Sequence, residues 1–109
     1  MKKVILLAPE EICDTLRNAL EHKYTTLPCS DCSAAKELLL SEPDILIISL
    51  VLPGGNVLTF LKENRPILPS KIIALTVYFD NAILWELASL GINHIIRIPC
   101  PLSYLEQTL

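Results

Sequence analysis

Charge is scarce in this sequence. Asp, Glu, Lys and Arg together make 19% of the 109 residues, against about a quarter in ordinary globular proteins. What charge there is sums to −3 and forms no basic stripe, which argues against a nucleic-acid footprint in this segment. Long apolar runs are missing as well. None reaches the roughly 18 residues that a membrane-spanning helix requires, although apolar side chains account for 51% of the chain. The opening Met1-Lys2-Lys3-Val4-Ile5-Leu6-Leu7-Ala8-Pro9 superficially resembles a signal peptide. Its apolar run is too short, and Glu10 and Glu11 follow at once, so a first β-strand is the better account. Internal repeats, linkers and low-complexity tracts are absent too. The expectation is one soluble, cytoplasmic domain over residues 1–109, too short for two cores and without a membrane partner.

Strand-like and helix-like segments alternate from end to end, which implies βαβ units and a parallel sheet. The strands are read at Val4–Leu7, Thr25–Leu27, Ile45–Leu50, Lys71–Thr76 and His94–Ile98. The second is expected at an edge, because Pro28 has no N–H for a ladder. Helices are read at Glu10–His22, Cys32–Leu40, Asn56–Glu63, Asp80–Leu90 and Leu102–Leu109. The first buries Ile12, Leu16, Ala19 and Leu20, the second is capped by Ser30 or Asp31, and the fourth ends at Gly91. Five of each predict a flavodoxin-like, doubly wound α/β fold: a parallel sheet in the order 2-1-3-4-5 with helices on both faces. The last helix has barely two turns before Leu109, as when a chain runs on into a C-terminal effector domain or simply stops.

The most informative stretch is Pro43-Asp44-Ile45-Leu46-Ile47-Ile48-Ser49-Leu50-Val51-Leu52-Pro53-Gly54-Gly55. Its apolar run reads as a central strand buried on both faces. A polar residue at the strand's C-terminal end, followed by a Pro-Gly-Gly loop, stands where open α/β sheets place their chemistry. With Thr76 ending the fourth strand, Gly91-Ile92-Asn93-His94 entering the fifth and Pro99 beyond it, the chain resembles bacterial response-regulator receiver domains over essentially its whole length.

That resemblance implies an aspartate nucleophile at the position of Ser49, two acids at Ala8 and Pro9 to hold Mg²⁺, a lysine at Ile98, and a cis bond before Pro99. Magnesium demands oxygen ligands, and charge stabilisation is most of phosphoryl-transfer catalysis. Here those positions carry alkyl groups or a neutral hydroxyl, and Glu10 is the only nearby acid. The aromatic that receivers couple to the Thr76 position is Ile95 here. The chain therefore reads as a pseudo-receiver, with no catalytic residue, metal or cofactor, in which Thr76 only bonds backbone or caps its strand.

Two further features stand apart. Cys29-Ser30-Asp31-Cys32 has redox spacing and opens a helix, a setting that lowers thiol pKa. Its alternative is a pair of incidental loop cysteines, and a zinc site would need Cys13, Cys100, His22 or His94 to converge on it. On the fourth helix Leu84, Leu87 and Ala88 are expected to face the core. Ile83 and Leu90 widen the apolar arc on one side and Trp85 on the other. Receivers use the surface of helix four, strand five and helix five for partners, so Ile83, Trp85, Ile95 and Tyr104 are candidates for a protein or homodimer contact. The alternative folds Trp85 back on Tyr78 or Phe79. The expected function is a non-catalytic interaction module of a two-component-type regulator, transcription control being the commonest output by analogy. A redox sensor using Cys29/Cys32, or a ligand sensor using a pocket lined by Ala8, Ser49, Thr76 and Ile98, is the alternative. A residual enzyme with Ser49 as nucleophile lacks a neighbouring base and an oxyanion clamp.

Overall fold

The computed structural model describes residues 1–52, 56–77, 80–92 and 94–109. The strands are β1 (Lys3–Leu7), β2 (Thr25–Cys29), β3 (Ile45–Ser49), β4 (Lys71–Thr76) and β5 (His94–Arg97). They form one parallel sheet in the order β2-β1-β3-β4-β5. The helices are α1 (Glu10–Leu20), α2 (Cys32–Leu39), α3 (Val57–Glu63), α4 (Asn81–Ser89) and α5 (Leu102–Thr108), with a short 3-10 turn at Arg65–Ile67. The expected fold is the observed one.

Side chains alternate across the sheet and split the core into two layers. Ile5, Leu7, Leu46, Ile48 and Ala74 face α2, α3 and α4. Val4, Leu6, Ile47, Ile73 and Leu75 face α1 and α5. All five residues of β3 are buried, as a central strand covered on both sides requires, and each Ile or Leu so buried stabilises by about 1.5–3 kcal/mol.

Local chemistry sets the helix ends. Asp31, Asn56 and Asp80 accept hydrogen bonds from Ala34 N (2.8 Å), Thr59 N (3.1 Å) and Ala82 N (2.8 Å), satisfying first-turn amides. Gly91 ends α4 at φ +80°, in the left-handed region that glycine enters without strain. The edge strand β2 runs further than the sequence suggests. It continues through Pro28 to Cys29, and only its inner side pairs, with β1.

The facing of α4 is a correction. Its inward stripe is Ile83, Leu87 and Leu90 at i, i+4, i+7, with Ile92 beyond. The expected stripe was Leu84, Leu87 and Ala88, so the helix is rotated by roughly a quarter turn at 100° per residue. The Lys62–Glu86 pair at 3.5 Å turns that side of α4 toward α3. Ile83 follows and packs near Leu50, Val57 and Leu58, while Ala88 is exposed and Leu84 half-buried.

Candidate functional site

In a sheet of this order the chain reverses direction between β1 and β3, and the strand ends there open a crevice. Ladder bonds carry the strands slightly past their ends: Ala8 N donates to Cys29 O (3.1 Å), Leu50 N to Leu75 O (2.9 Å) and Ile98 N to Thr76 O (2.7 Å). The positions singled out above therefore sit at one edge of one sheet. Ser49 is 1% exposed. Its hydroxyl donates to Val51 O at 3.0 Å and accepts from Val51 N at 3.3 Å, a local turn that occupies its proton within its own loop. Ala8 and Thr76 are buried, Pro9 and Ile98 half-buried, Glu10 and Pro99 exposed, and the Ile98–Pro99 bond is cis. Pro53, Gly54, Gly55 and Asn93, which carry part of the resemblance, lie outside the described residues.

Beside Ser49 lies a cleft of about 510 Å³. Ile12 and Leu16 of α1 form one wall, and Pro99, Leu102 and Leu105 form the other. Ser49, Leu75 and Ile98 line its base, and Val51 and Val77 stand at its lip. The expected pocket is thus half right: Ser49 and Ile98 line it, while Ala8 and Thr76 are sealed in the strands beneath. Its one carboxylate is Glu11, not Glu10. The Ile12/Leu16 face of α1 had been read entirely as core, although Ile12 is only half-buried. The i, i+4 pair Glu11/Thr15 beside it was the signal for the missing rim.

This donor set does not fit magnesium. Ala8, Pro9 and Ile98 offer no side-chain oxygen, and the Ser49 hydroxyl is engaged with Val51. Among the described residues no group of three or more His, Cys, Asp or Glu side chains is placed to hold a metal ion.

The four cysteines are free thiols. Cys13 of α1 is buried, and its Sγ donates toward the carbonyls of Leu6 (3.2 Å), Ala8 (3.2 Å) and Cys29 (3.5 Å). It thus meets the end of β2, whereas Cys100 packs against the same α1/α5 layer just after β5 and lines the cleft. Burial pushes the Cys29 thiol up to about 12, with Cys13, Asp31 and Cys32 adding to the effect. Burial, then Asp31, raises Cys32 too. Burial thus raises both thiols, opposite to the lowering expected for an activated pair.

Trp85 of α4 is 77% and Tyr104 of α5 55% exposed. Trp85 is not folded into its own domain; its suggested packing partners, Tyr78 and Phe79, lie outside the described residues. Two partner-face candidates are corrected. Ile83 and Ile95 are half-buried and pack against the α3/α4 core layer, Ile83 through the rotation of α4 and Ile95 from β5 on the same face as Ala74.

The sheet order and the switch-point crevice define an open doubly wound α/β protein. Its more particular likeness is to receivers. A two-component response regulator from Clostridium difficile superposes with TM-score 0.88 at 19% identity, over 98% of this chain and 91% of that one. The non-phosphorylated HemR receiver domain of Leptospira biflexa gives 0.84 at 22%, over 99% and 90%. The BeF3-activated N-terminal receiver domain of Klebsiella pneumoniae RstA gives 0.81 at 21%, over 98% and 93%. No family model matches the sequence, and no curated protein does. The chain has the response-regulator receiver fold. Among the described residues no helix is long and apolar enough to cross a membrane.

Proposed function

We propose that this chain is a signalling module of a two-component-type regulator that has given up aspartyl phosphorylation and acts through contacts in the cytoplasm. The observation that carries this reading is the Ser49 environment: a buried hydroxyl closed on Val51, bordered by alkyl groups where phosphoryl transfer needs carboxylates and an ammonium. No histidine is among the described residues lining the cleft, and the Ser49 hydroxyl is bonded to Val51 and not to the Glu11 carboxylate, so a covalent role is not supported either. Exposed Trp85 and Tyr104 supply the aromatic anchors that suit a protein partner or a second copy on the α4–β5–α5 side. The test is incubation with acetyl phosphate and Mg²⁺, followed by intact-mass measurement. No phosphoryl adduct is expected. An adduct mapped to Ser49 or a neighbouring residue overturns the reading.

A further inference from the structure

Among cavity, thiol cluster and apolar surfaces, the cleft between α1 and α5 carries the most. Its volume of about 510 Å³ lies within the range of small-molecule sites, roughly 300–1,000 Å³. Val51, Val77 and Leu102 are three of the chain's exposed large apolar side chains, and all three line this cleft. Core residues of the two walls and the base, Leu16, Leu105 and Leu75, line it with them. An opening lined by side chains of the α1/α5 core layer and by exposed apolar groups favours an occupant with an apolar body.

The polar groups narrow the class. Among the described residues no Lys, Arg or His lines the cleft, and Arg97 donates its Nε to Val77 O (3.3 Å) at the lip. The Ser49 proton is held by Val51 O, and the Thr15 hydroxyl donates to Glu11 O at 3.1 Å. An anion seated between the walls would lose its water and meet no cation among the described lining residues. The positive end of α1, capped by Pro9 without a side-chain hydrogen bond, already carries the carboxylates of Glu10 and Glu11 in its first turn. Among the described residues Glu11 is the only charged group on the lining, and none of their ion pairs includes it.

We propose that the cleft is a binding site for a small hydrophobic amine, its protonated head at Glu11 and its alkyl or aryl body between α1 and α5. This deepens the reading of the site as emptied of phosphoryl chemistry and rests on it. Hexylamine, hexanol and hexanoate are the probes, titrated against the folded protein by ligand-observed NMR at neutral pH. Hexylamine should bind best and hexanoate worst, with affinity rising about fourfold per methylene from butyl- to hexylamine. Glu11→Gln, an exposed change, should weaken hexylamine about threefold and leave hexanol unchanged. Ile98→Lys, checked for folding by circular dichroism, should abolish hexylamine binding and admit hexanoate. Equal binding of all three probes, no dependence on chain length, or hexylamine binding unaffected by Ile98→Lys overturns the proposal. The acetyl phosphate result is independent: an amine site that fails leaves the absence of phosphorylation standing, and an adduct removes the basis of both.

Discussion

Replacing Ser49 with aspartate tests whether the edge of the sheet has lost its capacity for charge. Ser49 is 1% exposed and has no cation among the cleft's lining residues. A carboxylate placed there is desolvated, which raises its pKa by as much as about 3–5 units at full burial. The neighbouring cleft admits some water, so a shift of about two units is the better figure, equivalent to about 2.7 kcal/mol. The sign follows from linkage. The folded state would hold its proton more tightly than the unfolded chain, so the variant is most stable below the ordinary aspartate value of about 3.9. It loses stability as pH rises through the raised folded value of about 6. Thermal unfolding by circular dichroism should show Ser49→Asp close to the parent at about pH 4, and roughly 10 °C lower at about pH 7.5. Ser49→Ala is the control for the lost hydroxyl and should cost about 1 kcal/mol or less at either pH. If Ser49→Asp matches the parent at neutral pH and Mg²⁺ raises its midpoint, the edge still holds oxygen ligands for a cation, and the reasoning fails.

Two further outcomes follow from exposure and burial. Trp85→Ala should leave the unfolding free energy within about 0.5 kcal/mol while shifting concentration-dependent light scattering toward the monomer. Self-association that is indifferent to this change places the contact elsewhere. Cys29 should react with a disulfide reagent roughly a hundredfold or more slowly than in the urea-unfolded chain, because its thiolate is rare while folded. Stability should also decline as pH rises above the unfolded value of 9.0, since only the unfolded thiol then ionises. Equal rates in the two states would show the pair to be open and reactive.

The fold was legible because its signals were local and redundant. The apolar run of β3, the caps at Asp31 and Asn56, and the glycine after α4 each point to the same alternation. The facing of α4 was not legible. With Ile83, Leu84, Leu87, Ala88 and Leu90 all apolar, several rotations bury a similar area, and a long-range pair, Lys62–Glu86, goes with the one adopted. Cys13 was likewise hidden, since only the folded sheet brings a residue of α1 beside the end of β2. The site was half legible. Residue identities at Ser49 and Ile98 declared the loss of charge, but the cleft and its Glu11 rim depend on how α1 and α5 diverge over the strand ends.

The two margins of the sheet are not equivalent. Thr25 N donates to Lys2 O and Cys29 O accepts from Ala8 N, so in β2 the odd-numbered groups point inward and Thr26 and Pro28 point out. A foreign strand approaching there meets a ring in place of a donor, which blunts fibril-like stacking on that flank. At β5 the Ile98 amide points inward to Thr76, leaving the amides of Ile95 and Arg97 turned outward. Any intermolecular sheet extension is thereby steered to the margin beside α4 and α5.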